Sequence, residues 1–183
     1  EVPFVRRYTY DPSQFGETVA VHYVLENSAK GKLGSGLLPP AKVRMFQATG
    51  ETEAFLGEDW ALPTPLGEEL KLRIGDTKDI TVRRAVLKTE QQVLQRDVHN
   101  RPALWHELTY LRFEVENFAG GVKTIRLVEH PSGEWDLLDP LQVLEKRIAP
   151  EKYEAVPTEA NPAGILTRED AGTLYIDVPV PPM

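Results

Sequence analysis

Short runs of alternating apolar and polar residues, each cut off by glycine or proline, constrain this chain more than any other feature. A period of two matches a pleated strand and matches no helix. The run Thr18–Asn27 (TVAVHYVLEN) places Val19, Val21, Tyr23 and Leu25 on one face and Ala20, His22 and Val24 on the other. Apolar residues on both faces suit a strand inside a sheet covered on both sides. Phe4–Tyr10 reads as a preceding strand, ended by the turn-forming Asp11-Pro12-Ser13. Lys42–Gln47 is a strand, and Thr49-Gly50-Glu51 turns it into a short one ending at Leu56. GEDWALPTPLGEE then reads as a loop, before Leu70, Leu72 and Ile74 alternate with Lys71 and Arg73.

The most regular stretch is a long hairpin. Its first arm is Asp79–Asp97 and its second Leu104–Asn117, with HNRPALWH around the tip. Leu111, Phe113 and Val115 point one way, and Arg112, Glu114 and Glu116 the other, so one face of the second arm belongs to a core. Within the first arm, KTEQQVLQ (Lys88–Gln95) favours helix by composition, but its strand-like flanks predict strand. Gly120-Gly121 predicts a turn into Val122–His130, making a three-stranded meander. Pro150–Gly172 reads as an irregular connection. Thr173–Val180 reads as a last strand whose prolines suit a sheet edge. Nine or ten short strands with almost no amphipathic helix predict an all-β antiparallel β-sandwich, immunoglobulin-like or related, as a single β-rich domain over residues 1–183.

Charge and composition narrow the function classes. The net charge of -7 and the scattering of basic residues such as Arg83 and Arg84 among acids oppose binding to nucleic acid or anionic lipid. The chain has no cysteine, which removes disulfides, thiolate metal sites and cysteine nucleophiles. No apolar run approaches the ~20 residues needed to span a bilayer. The first residue is Glu1, so the expectation is a processed product or a fragment of a longer chain.

Five segments, taken in order, resemble one bacterial family. They are LLPPAKVRMFQ (Leu37–Gln47), FLGEDW (Phe55–Trp60), TPLGEELKLRIGDTKDITVRR (Thr64–Arg84), FEVENFAGGVKTIRLVEHPSGEW (Phe113–Trp135) and DAGTLYIDVPVPP (Asp170–Pro182). Their order and spacing are similar to the C-terminal part of domain of unknown function 4139, found in mucoidy-inhibitor-A-like proteins. The resemblance implies an exported protein whose β-rich domain follows an N-terminal coiled coil, and it carries over no catalytic residues. This chain departs from the family in lacking the helical half and in its longer Pro150–Gly172 connection. In the matching segments, Gly34, Gly36, Gly57 and Gly75 are expected to supply turns with positive φ.

No catalytic constellation stands out. The carboxylate pairs Glu58/Asp59, Glu68/Glu69 and Glu169/Asp170 fall in loops or strand ends where water keeps both members ionised. Ser35 lies between glycines with no following helix to make a nucleophile elbow. His99 and His106 flank the hairpin tip, but a metal there would need a third ligand such as Asp97 or Glu107, so no metal and no cofactor are expected. The tryptophans are better candidates. Trp60 and Trp135 are expected to fill the ends of the sandwich, whereas Trp105, at the tip beside Arg101, has less core to fill. Aromatic and arginine side chains concentrate binding energy at interfaces. The expectation is a non-catalytic, extracytoplasmic interaction module that binds a protein partner of the bacterial cell envelope, or the rest of its own longer chain, through Trp105, Arg101, His99 and His106. Oligomers are compatible with it. The alternative is a hydrolase or binding module acting on a cell-surface polysaccharide.

Overall fold

The computed structural model describes residues 1–50, 52–135 and 165–183. Among these residues ten strands and one helical turn follow in chain order: β1 (Val5–Tyr10), α1 (Pro12–Phe15), β2 (Val19–Glu26), β3 (Ala41–Thr49), β4 (Thr52–Ala61), β5 (Glu69–Thr77), β6 (Ile80–Arg96), β7 (Pro102–Asn117), β8 (Lys123–Glu129), β9 (Ile165–Arg168) and β10 (Leu174–Val180). The chain is all-β and sandwich-like. A six-stranded sheet in the order β5-β2-β1-β8-β10-β9 is faced by two hairpins, β3–β4 and β6–β7. Every pairing is antiparallel except β1 with β8, which run parallel from Tyr8↔Ile125 to Tyr10↔Leu127.

Residues that pair across strands share a face, and the register therefore assembles one apolar surface. Tyr8, Tyr10, Val19, Val21, Ile125 and Leu127 line it, and Ile80 and Val82 from the root of the long hairpin close over it, flanked by Phe113 and Val115. A second cluster joins Met45 and Ala61 of the short hairpin to Leu70 and Leu72 of β5. Each fully buried aliphatic side chain contributes about 1.5–3 kcal/mol relative to exposure. A forked ion pair clamps the long hairpin to β8: Arg84 donates to Glu129 at 2.5 and 2.9 Å.

The ambiguous Lys88–Gln95 segment is strand, paired residue by residue with Leu104–Tyr110 apart from bulges at Leu87 and Leu94. Several other expectations need correction. The three-stranded meander does not form, because β8 leaves the hairpin and inserts between β1 and β10, where its Ile125 and Leu127 complete the apolar face. The segment Gly57–Ala61 is strand, because Ala41–Met45 pairs with it to Ala61. β10 lies between β8 and β9 instead of at an edge, and Pro179 falls beyond the Leu174–Asp177 stretch that β9 uses. The turn at Asp11 is one helical turn, with the Asp11 carboxylate accepting from the Ser13 and Gln14 amides and Pro12 opening the helix. Of the four glycines, Gly75 takes φ +141 beside the bulge that leaves Ile74 unpaired, whereas Gly34, Gly36 and Gly57 do not take positive φ. At Gly34 the need is space: a Cβ would stand 2.8 Å from Asn27 Oδ1. Of the expected irregular Pro150–Gly172 connection, Ile165–Arg168 is strand β9, and the part before Ile165 lies outside the described residues; residues 137–146, whose sequence reads as a loop and a short strand, lie outside them too.

Two asparagines at strand ends organise the connections. Asn27, fully buried, donates through Nδ2 to the carbonyls of Gly36, Thr64 and Pro65, tying two long loops together. Asn117, also fully buried, donates to the carbonyls of Gly121 and Val180 and accepts from the Ala119 amide. Each links segments far apart in sequence, and losing either removes a donor from several carbonyls at once, at about 1–3 kcal/mol for each group left unpaired. We expect Asn117→Ala and Asn117→Asp each to lower unfolding free energy by about 2–4 kcal/mol in urea titration, since aspartate cannot donate to either carbonyl.

Candidate functional site

The long hairpin changes character along its length. At its root, Ile80 and Val82 are buried and Phe113 and Val115 pack against them. The arms have 17 and 16 residues, and the outer part runs past the sheet with side chains largely in water on both faces. An isolated two-stranded ribbon is marginal in water, so this outer part relies on pairing in register with a well-packed root.

The tip is built on Asp97. Its Oδ1 accepts from the amides of His99 and Arg101, each at 2.8 Å, and its Oδ2 accepts from Arg101 Nε at 2.9 Å. These bonds hold the carboxyl below the usual carboxylate range, led by the Arg101 amide. Asn100 takes the left-handed conformation, φ 63, that reverses the chain, and Arg96 donates to its carbonyl at 2.9 Å. Sequence reasoning weighed Asp97 only as a metal ligand, yet an aspartate opening a turn whose later amides it can cap is the signal that marks it.

Of the four predicted binding residues, the structure keeps His99 and Arg101 at the tip and places Trp105 and His106 down the second arm. Trp105 faces Val93 across the ribbon, and His106 faces Gln92. Being consecutive in a strand, they point to opposite faces. The two histidines therefore do not converge, and Glu107 lies opposite Gln91. Among the described residues there is no group of three His, Cys, Asp or Glu side chains suited to a metal ion. Trp105 keeps 45% of its surface exposed, with Val86, Leu94 and Leu104 similarly open along the ribbon and Val98 95% exposed in the turn.

The other tryptophans do not both fill sandwich ends. Trp60 is 66% exposed on the outer face of the β3–β4 hairpin, because Ala61 and Met45 occupy the inner positions. Phe46 and Phe55 lie on that hairpin too, exposed and in ring contact at 5.5 Å. Trp135 is half-buried and donates from Nε1 to the Ala171 carbonyl at 2.7 Å.

Sequence reasoning missed a second surface, the polar face of the large sheet. Arg7 forks onto Glu69 at 2.7 and 2.8 Å, crossing over β2 above the buried Val24. Arg126 forks onto Asp177 at 2.8 and 2.7 Å and lies 3.7 Å from the centre of the Tyr175 ring. Arg7, Glu69, Arg126 and Tyr175, together with Lys71, Glu68 and Glu169, line an open groove of about 290 Å³. Glu69 is held below the usual carboxylate range, chiefly by Arg7. A general acid needs the opposite displacement. Each charge was visible as the polar member of an alternating run, but only the register of five strands puts them side by side.

At one end of this sheet Asp11 is buried. Its Oδ2 lies 3.0 Å from His130 Nε2, and His130 Nδ1 lies 3.4 Å from Thr173 Oγ1. Burial acts to raise the Asp11 carboxyl, but hydrogen bonds from Ser13 and His130, with the charge of His130, outweigh it and hold it low. His22 is also displaced downward, by burial and then by Arg73. Comparison of the chain with protein-family models, with curated proteins and with solved structures gives no match.

These displacements set the response to acid. A carboxyl held low when folded contributes stability that is present above its unfolded value, about 4, and is lost as pH falls through the folded one. A histidine held low contributes stability that is present above its unfolded value, about 6.5, and is lost below it in the same way. Stability should therefore decline from about pH 6.5 downward and steepen below about pH 4. We expect Glu69→Gln and Asp11→Asn each to flatten the lower limb and His22→Gln the upper one, as read from urea midpoints across that range.

Proposed function

We propose that this chain is a non-catalytic interaction module of the bacterial cell envelope that binds a protein partner through the outer half of its long hairpin. One observation carries the proposal: a ribbon that runs beyond the core while presenting Trp105 and several aliphatic side chains to water. A strand alternation directed only at solubility would place polar residues there, and an exposed tryptophan on a projecting element is the type of anchor around which interfaces concentrate their energy. The turn held by Asp97 fixes the ribbon's end, which lowers the ordering cost on binding. Among the described residues, each carboxylate displaced from its ordinary range, Asp11, Glu58, Glu69 and Asp97, is displaced downward, which supports binding over acid–base chemistry. The resemblance to an exported family supports the envelope setting, and a segment of the same longer chain would serve as a partner equally well. No helix among the described residues is long and apolar enough to cross a membrane.

The polar groove favours a second reading, binding of a surface polysaccharide. Its balanced lining of Arg7, Lys71 and Arg126 against Glu68, Glu69 and Glu169 suits hydroxyl groups, which donate and accept alike. Hydrolysis there would need a carboxyl raised in pKa, and Glu69 is lowered.

The two readings separate by mutation. Immobilised protein should retain a defined envelope protein, and Trp105→Ala should weaken that binding by about 30-fold, in the range of an interface anchor. Lys71→Ala should leave it unchanged. If Lys71→Ala instead abolishes binding to neutral oligosaccharides while Trp105→Ala has no effect on any ligand, the groove is the functional surface.

A further inference from the structure

We infer that the hairpin arm pairs with the same arm of a second copy of this chain, through a two-fold axis beside Trp105. This inference rests on the arm being the binding surface and specifies its occupant. The first support is charge. The outer arm from Val86 to Leu111 carries Lys88, Arg96 and Arg101 against Glu90, Asp97 and Glu107, three of each sign and no net charge, on a chain of net charge -7. Most of the surface repels its own kind, whereas two arms meet without that penalty.

The second support is how those charges are used. Lys88 pairs with Glu90 and Arg101 with Asp97. Arg96 and Glu107 remain without an ion-pair partner among the described residues, Arg96 donating only to a backbone carbonyl. Arg96 stands opposite Pro102, and Glu107 lies further along the same strand with Trp105 between them. At 3.4 Å per residue the separation is about 17 Å, and its midpoint falls next to Trp105. An isologous contact demands that if one residue meets another, the reverse also holds. An antiparallel arrangement of two arms about that midpoint brings Arg96 of each copy to Glu107 of the other, and the two Trp105 rings together at the axis. The exposed Trp105 and the part-buried Val93 opposite it are covered, and the marginal ribbon gains a neighbour.

A ribbon face on the order of 30 Å by 10 Å is at the small end of specific interfaces, so the dimer should dissociate in the micromolar range. Sedimentation velocity between about 5 µM and 1 mM should show the intact chain shifting from monomer to dimer across that range. Trp105→Ala should raise the dissociation constant about tenfold or more, and Arg96→Glu and Glu107→Arg should each raise it severalfold. The double variant Arg96→Glu/Glu107→Arg should regain most of the loss. Far-UV circular dichroism confirms that each variant keeps its strands, and if Trp105→Ala does not fold, the charge series decides alone.

A chain that stays monomeric at about 1 mM overturns the inference, and so does a dimer indifferent to the single charge reversals or one that the double variant does not restore. A monomer that still binds a foreign protein in a Trp105-dependent manner overturns self-pairing alone and leaves the interaction-module reading standing. Loss of both removes both.

Discussion

The parallel pairing of β1 with β8 is the contact on which the rest depends. It sets Tyr8 beside Ile125 and Tyr10 beside Leu127, and so joins the first strand of the chain to one more than a hundred residues later. Without it the apolar face of β1 and β2 would end at an open edge, and the Ile80 and Val82 side chains of the long hairpin would have half a surface to cover. Arg84 reaches Glu129 only because β8 lies there. Through the same strand β10 joins the sheet, and its Val180 carbonyl becomes one of the acceptors that hold Asn117 at the hairpin root.

From that frame follows a division of labour between two faces. The inner face is dry and built from alternating apolar residues. The opposite face carries forked arginine–carboxylate pairs, Arg7–Glu69 and Arg126–Asp177, whose side chains sit partly exposed at the water boundary. Partly exposed pairs of this kind add little stability singly, but their fixed forks order the surface. The hairpins use the inner face only at their roots. Trp105 on the projecting ribbon has no core to pack against, and Phe46, Phe55 and Trp60 face water on the short hairpin, so these apolar side chains need another explanation than folding.

Much of this was legible in residue order. The runs around Val19, Leu70 and Phe113 announced strands, and the alternation of Phe113 and Val115 with Glu114 and Glu116 announced which side would be buried. Trp105 was separable from a core tryptophan because it lay near a predicted tip. Trp60 was misjudged for a physical reason: the glycines and prolines of GEDWALPTPLGEE read as a loop, where a large aromatic side chain would plug a sandwich end, but pairing with Ala41–Met45 makes Gly57–Ala61 a strand that turns Ala61 inward and leaves Trp60 in water. The meander after Asn117 was misjudged because a Gly-Gly turn permits a third hairpin strand without requiring one.

Residue order alone therefore determined that this would be a cysteine-free, all-β chain with one very long hairpin, because alternation and turn chemistry act within a few residues of each other. Tertiary structure decided the partner of β8, the convergence of Arg7, Glu69, Lys71 and Arg126 on one face, and how far the hairpin outruns its core. Those outcomes hang on strand order and register, which come from the competition of whole surfaces for burial across the length of the chain, and no local pattern encodes who wins it.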